Sequence, residues 1–206
     1  EHLPARFTLI NREEDLGLDG LRRAKLSYHP AFLQHKFQAI HLHPDELDCK
    51  RLWMEAFGDG DDFIDSFLIR YYARRRVLTL TEEGRTVAML HLLPFETELG
   101  RTTYIYGVAT AESARRRGLA SQLMRQAMTR IAERGDDAAF LIPTPGKEWL
   151  RGFYEGFGFG GELPVTFHSE DGFDFGTGDA AADRAMVWRG DASAPLPESL
   201  AATFRR

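Results

Sequence analysis

The residues with most capacity for chemistry lie in one stretch, Gly107-Val108-Ala109-Thr110-Ala111-Glu112-Ser113-Ala114-Arg115-Arg116-Arg117-Gly118-Leu119-Ala120-Ser121. Here a β-rich run passes through a basic turn into an amphipathic helix. The first amides of a helix have no acceptor inside it, the dipole end there is positive, and a glycine lets backbone approach an oxygen closely. That combination suits a phosphate. On their own, Arg115, Arg116 and Arg117 read as well or better as solvated charges around an ordinary turn. Other candidates are weaker. His41-x-His43 puts two imidazoles on one strand face, but no third ligand is evident, so a solvated or packed pair is expected and a zinc site is not. Cys49 is the single cysteine and reads as a small core residue. Two acidic groupings, Asp59/Asp61/Asp62 and Glu170/Asp171/Asp174/Asp179/Asp183, are either caps and solvated loop charge or the mouth of a site for cations.

These groups need a scaffold, and hydrophobic periodicity describes one. Residues 1 to 36 give no sustained period. Phe37 to His43 reads as a strand, and Pro44-Asp45-Glu46 opens a helix that Gly58 should stop, with Cys49, Leu52, Trp53, Ala56 and Phe57 on its apolar face. A second helix follows the Asp59-Gly60-Asp61-Asp62 cluster and carries Phe63, Ile64, Phe67, Leu68 and Tyr71. Strands are expected at Arg76 to Thr81, at Arg85 to Leu93 with Pro94 ending it, and at Thr102 to Thr110, where Gly107 suggests a bulge or a close ligand. The longest helix should run from about Arg116 to Arg134 with Gly135 as its stop. A strand (Ala138 to Ile142), a helix (Lys147 to Phe157), a strand from Phe159 and a last strand (Ala185 to Trp188) complete the order. After Gly190 an Ala/Pro/Ser-rich tail is expected to fray, apart from a short turn near Pro197 to Thr203. The fold class is therefore α/β (α+β by some schemes): a mixed, partly antiparallel central sheet with helices on both faces.

Composition narrows the function classes. With 206 residues, 43% of them hydrophobic and 12% aromatic, the chain can bury one large core with an elaboration. A formal charge of −5 disfavours nucleic acid or an anionic membrane as a general partner. The 26 basic residues are 22 Arg and 4 Lys, which fits a GC-rich genome and also favours bidentate phosphate recognition. No apolar run of about 18 residues and a lone cysteine point to a reducing, cytoplasmic setting. The absence of a Gly-Lys-Ser/Thr or G-x-G-x-x-G turn argues against a nucleotide-binding regulator.

Two motifs carry a family resemblance. Arg115-x-x-Gly118-x-Ala120, after a strand ending Val108-Ala109-Thr110, resembles motif A of the GNAT superfamily of N-acetyltransferases. Phe153-Tyr154-Glu155-Gly156-Phe157-Gly158-Phe159 resembles the same family's helix-to-strand signature. The agreement in element order runs from about residue 37 to 189, and the Arg-Arg-Arg-Gly-Leu run with Tyr154 is also similar to the Eis-type acetyltransferase domain. The resemblance implies residues 1–36 as an N-terminal extension, 37–190 as the acetyltransferase domain and 191–206 as a C-terminal tail. It implies acetyl-CoA as co-substrate, lying between two splayed parallel strands, with its pyrophosphate on Arg115, Arg116, Arg117, Gly118, Leu119, Ala120 and Ser121. Its pantetheine would run along Val108, Ala109 and Thr110. Glu112 stands where the family usually has Pro and Arg116 where it often has Gly, so Arg116 would have to turn outward. The expected reaction is acetyl transfer to a small-molecule or peptide amine by direct attack, without metal, with Tyr154 as general acid toward the departing thiolate. Arg151, three residues earlier, could stabilise the phenolate. The rival from another class is a non-catalytic acyl-CoA-binding or interaction module on the same fold. A homodimer is compatible with either.

Overall fold

The computed structural model describes residues 19–29, 44–193 and 195–205. The chain divides into two compact units, 1–41 and 42–206. In the first, α1 (Asp19–Leu26) is a short helix with Leu21 and Leu26 exposed. The strand expected at 37–43, with the His41-x-His43 pair, lies outside the described residues.

The second unit contains α2 (Pro44–Phe57), α3 (Asp61–Tyr71), β1 (Val77–Glu82), β2 (Arg85–Thr97), β3 (Gly100–Thr110), α4 (Leu119–Arg134), β4 (Ala138–Leu141), α5 (Trp149–Glu155), β5 (Gly160–His168), β6 (Arg184–Arg189) and β7 (Leu200–Phe204). Asp45 and Glu46 occupy the first turn of α2, where acids complement the dipole, and the chain turns at Gly58 with φ 76°. Side chains alternate along β2, and that alternation builds two cores. Met89, Leu93 and Phe95 face α2 and α3, packing with Trp53, Ile64 and Phe67. Ala88, Leu90 and Leu92 face the other way, packing with Leu123, Ala127 and Ile131 of α4 and with Tyr154 of α5. Helices therefore cover both faces, as the broad apolar stripe of α4 requires.

The sheet order is β1-β2-β3-β4-β6-β5-β7, with a further pairing of β7 to β2. The β3–α4–β4 unit is a parallel crossover, while β2 is antiparallel to β1 and β3. Two expectations need correction. Pro94 does not end β2, which continues to Thr97. The reason lies in its neighbours: the β1 ladder reaches only to His91 and the β7 ladder begins at Phe95, so the missing N–H of Pro94 falls between two ladders. Its carbonyl still accepts from the Arg205 amide at 2.9 Å. The end of the chain is likewise not frayed at 200–204. β7 lies parallel to β5 and antiparallel to β2, with Leu200 and Ala202 1% and 0% exposed. Ala-rich sequence has little strand preference of its own; two flanking ladders supply it.

Candidate active site

β3 and β4 pair only at Thr102↔Ala138, Thr103↔Ala139 and Tyr104↔Phe140. Beyond that point β3 continues to Thr110 while β4 stops at Leu141, so the two parallel strands part. A cavity of about 610 Å³ occupies the opening. Ile105 to Val108 of β3 border it on one side, Leu141, Ile142, Thr144 and Pro145 on the other. The bulge expected at Gly107 is present: Met89 pairs with Ala109 but His91 with Tyr106, which leaves one extra residue on β3. Gly107 has φ 60°, and a Cβ there would meet the Trp53 ring at 3.3 Å and the His91 Nδ1 at 3.4 Å. Both conformation and space therefore favour glycine.

From Thr110 the chain enters a short 3-10 turn, Glu112–Ala114, whose first amide donates to Glu55 of α2. α4 then begins at Leu119, three residues later than periodicity suggests, because Arg116 (φ 62°) and Gly118 (φ 78°) are left-handed. The Gly118 carbonyl accepts the first helical bond, from Gln122, at 3.0 Å. Among the described residues, no acceptor bonds to the amides of Arg116 through Ser121. These donors and the positive end of a 16-residue helix make an anion-binding surface. The three arginines differ. Arg117 forms a two-point contact with Glu82 at 2.7 and 3.0 Å. The Arg115 Nε donates to the Thr110 carbonyl at 3.3 Å. Arg116 is exposed.

Tyr154 lies on α5, is 6% exposed, and lines the cavity. Its ring packs on Phe153 and Phe159. Burial pushes its phenol up to about 12. Arg151 gives no assistance: it is exposed and paired with Glu162 of β5, so the expected stabilisation of a Tyr154 phenolate is not present. Cys49 is fully buried in α2 among core residues and is not among the residues bordering the cavity. Burial, with Asp48 nearby, pushes its thiol up to about 12.

On the α2 and α3 side the cavity is walled by Trp53, Phe57 and Phe63, with Asp59 and Asp174 at its border. The Trp53 Nε1 donates to Asp59 at 2.7 Å, which fixes both. Asp174 accepts from the Gly176 amide at 2.8 Å. Tyr106 is raised first by burial and then by Asp59, Asp174 and Asp183, so this end of the cavity is negative. The other acids of the two groupings have different tasks. Asp61 pairs with Lys50 at 2.7 Å, Asp171 accepts from the Tyr71 hydroxyl at 2.5 Å, and Asp183 holds the Thr177 amide at 2.7 Å. Trp53, Phe57 and Phe63 read from sequence as core. A signal existed only for Phe57, which ends a helix next to an acidic, Gly-containing turn and stays 37% exposed, whereas Trp53, one turn earlier, is buried at 2%.

Beneath Trp53 and Phe67 sits His91, 0% exposed, with no well-formed hydrogen bond on either ring nitrogen and only the Tyr106 backbone near enough to favour its charged form. Burial lowers its pKa from 6.5 to about 4. A depressed folded pKa contributes stability that is fully present above about pH 6.5 and is lost as pH falls through about 4, on the order of 3 kcal/mol. Thermal melts at pH 7 and pH 4.5 should therefore show His91→Leu losing less stability on acidification than the parent. Equal losses would mean that other groups set the acid response. Among the described residues no group of three or more His, Cys, Asp or Glu gathers in a metal-binding arrangement, and no helix is long and apolar enough to cross a membrane.

A family model for the acetyltransferase (GNAT) domain matches residues 42–161. The fold is similar to that of the GNAT family N-acetyltransferase YhbS from Escherichia coli, solved with CoA. The TM-score is 0.56 at 16% identity, over 84% of this chain and 94% of that one. A GNAT family acetyltransferase from Brucella melitensis, solved with acetyl-CoA, gives 0.52 at 12% identity over 79% and 92% of the two chains. The likeness to Eis1 from Mycobacterium abscessus is partial: TM-score 0.46, 16% identity, and only 32% of that chain covered. A comparison with curated protein sequences gave no significant match.

Proposed function

The chain belongs to the GNAT acetyltransferase family, and on that premise we propose that it moves an acetyl group from acetyl-CoA to a primary amine by direct attack. The observation that carries this reading is the conjunction of free amides at the start of α4 with a cavity opened between β3 and β4 and bordered by a phenol. The pyrophosphate of acetyl-CoA would sit on the turn from Arg115 to Ser121, bound mainly by main chain. The pantetheine arm would run along Val108, Ala109 and Thr110, where β4 has diverged, and place the thioester beside Tyr154. That the two relatives above were solved with CoA and acetyl-CoA supports the same cofactor here. Turnover of acetyl-CoA also fits the cytoplasmic setting expected from the sequence.

A neutral amine entering from the α2 and α3 side attacks the thioester carbonyl. The nitrogen of the tetrahedral intermediate loses its extra proton to water, which also restores the Tyr154 proton after turnover, and the intermediate expels the CoA thiolate. Tyr154 meets that thiolate as hydrogen-bond donor and general acid. No covalent enzyme intermediate is involved, in keeping with the buried, protonated Cys49. Asp59 and Asp174, with the aromatic walls beside them, favour an acceptor with a second positive charge and an apolar skeleton. Asp174→Asn should accordingly lower kcat/KM for a dicationic amine by about tenfold, equal to about 1.4 kcal/mol, and change turnover of an uncharged-side-chain monoamine little. Equal effects on both amines would detach Asp174 from acceptor recognition. The reaction itself is tested by supplying acetyl-labelled CoA with such an amine and locating the label: an amide on the amine is expected, and label found only on the protein would overturn direct attack.

A further inference from the structure

At the N-terminal end of β3 a second cleft, of about 290 Å³, is bordered by five arginines: Arg75, Arg76, Arg101, Arg134 and Arg205. They come from four separated elements, the 3-10 turn Arg74–Arg76, the start of β3, the last turn of α4 and the segment after β7. One carboxylate, Asp136, borders the cleft with them. Asp136 lies 3.4 Å from Arg101 and also accepts from the Thr103 hydroxyl at 2.7 Å. Glu96 pairs with Arg205 at 2.7 Å. Among the described residues, no carboxylate forms an ion pair with Arg75, Arg76 or Arg134.

Arg134, Arg101 and Arg76 are held by contacts other than carboxylates. The Arg134 Nη2 donates to the Arg75 carbonyl at 3.0 Å, the Arg101 Nη2 donates to the Arg134 carbonyl at 3.0 Å, and the Arg76 guanidinium lies over the Phe204 ring at 5.4 Å. Burial and the neighbouring Arg75 and Arg134 make the charged form of Arg76 less favourable; at Arg134 burial does the same, opposed by Asp136 and reinforced by Arg130 and Arg75. Like charges gathered in a partly desolvated concavity repel one another, and Asp136 and Glu96 offset only part of the charge of the five arginines. A bound polyanion would turn this repulsion into charge-assisted, two-point hydrogen bonding.

We propose that this cleft is a binding site for a compact polyanion carrying a diphosphate group, separate from the acetyl-transfer site. The five arginines border one concavity rather than forming a stripe, and the chain as a whole carries −5. Both features favour a small ligand over nucleic acid. The diphosphate could be free pyrophosphate or part of a nucleotide.

The test uses the full chain carrying Gly118→Glu, so that diphosphate cannot bind at the start of α4, titrated calorimetrically with inorganic pyrophosphate and separately with ADP. One site is expected, weakening as salt rises, with Arg76→Ala and Arg134→Gln each reducing pyrophosphate affinity at least about tenfold. ADP binding more tightly than pyrophosphate would assign the site to nucleotides; equal or weaker binding would assign it to the free anion. Melting separates binding from misfolding. Without ligand, Arg134→Gln should melt at or above the temperature of its parent, and pyrophosphate should raise the melting temperature of the parent alone. Absence of binding, unchanged affinity in both arginine variants, or displacement of pyrophosphate by a lower concentration of a single-stranded oligonucleotide would overturn the proposal.

Discussion

Gly118→Glu is expected to abolish acetyl-CoA binding while the fold survives. Gly118 is left-handed, with φ 78°, and a Cβ built on it meets nothing within 4 Å, so the added side chain costs backbone strain of about 1–2 kcal/mol without a steric clash. Arg116, at φ 62°, already shows that this turn accommodates a side chain in the same conformation. The effect on the ligand is far larger than the effect on the fold. A carboxylate would project beside the free amides of Arg116 to Ser121 and repel the pyrophosphate that those amides are proposed to hold. Calorimetry with acetyl-CoA should show affinity reduced by more than about 10²-fold, equivalent to about 3 kcal/mol. Gly118→Ala, which adds the strain without the charge, should bind only a few-fold more weakly. Unchanged affinity in a folded Gly118→Glu protein would move the cofactor away from α4.

Tyr154→Phe should nearly keep acetyl-CoA affinity and reduce turnover, by about 10²-fold to 10⁴-fold where proton transfer limits the rate. Phenylalanine can make the same ring contacts with Phe153 and Phe159, so a loss of turnover is not a loss of packing. With ordinary values of about 10 for a phenol and about 8.5 for a thiol, full transfer is uphill by roughly 2 kcal/mol. Burial raises the phenol further, to about 12, but the departing thiolate forms beside the same buried phenol, and desolvation raises its basicity too. The pairing of Arg151 with Glu162 removes the electrostatic help that its position on the helix suggested, so Arg151→Ala should leave turnover within about twofold. A phenol that stays protonated to about pH 12 also fixes the shape of the pH profile. Rates should climb with pH as the amine loses its proton, with no descending limb from Tyr154 below about pH 10. Parent-like turnover by a folded Tyr154→Phe protein, under conditions where chemistry limits the rate, would leave Tyr154 a packing residue.

Where local chemistry determines the backbone, sequence was a good guide to this fold. Acids in the first turn and a following Gly58 define α2, Gly135 closes α4 in the left-handed conformation, and Gly107 marks the β3 bulge. Departures came where partners distant in sequence decide the outcome. The continuation of β2 through Pro94 depends on the ladder to β1 stopping at His91 and the ladder to β7 starting at Phe95, and the strand at 200–204 exists through its neighbours rather than its own residues. The site follows the same division. Residues 107–121 were legible because the anion-binding turn is contiguous in sequence. The aromatic wall made by Trp53 and Phe63 was not, because periodicity assigns an aromatic to a core without saying which edge borders a cavity, and Asp59 and Asp174 stood only as one of two readings of the acidic groupings.

The most direct test of acetyl transfer is amine-dependent release of free CoA thiol. The protein is incubated with acetyl-CoA alone and with each member of a panel of mono- and dicationic primary amines, with Gly118→Glu and Tyr154→Phe run in parallel. Thiol release should depend on the amine, be greatest for a dicationic acceptor, and fall in both variants. Acetyl-CoA binding by the parent protein without thiol release for any amine would contradict the account and leave a non-catalytic acyl-CoA-binding module in its place.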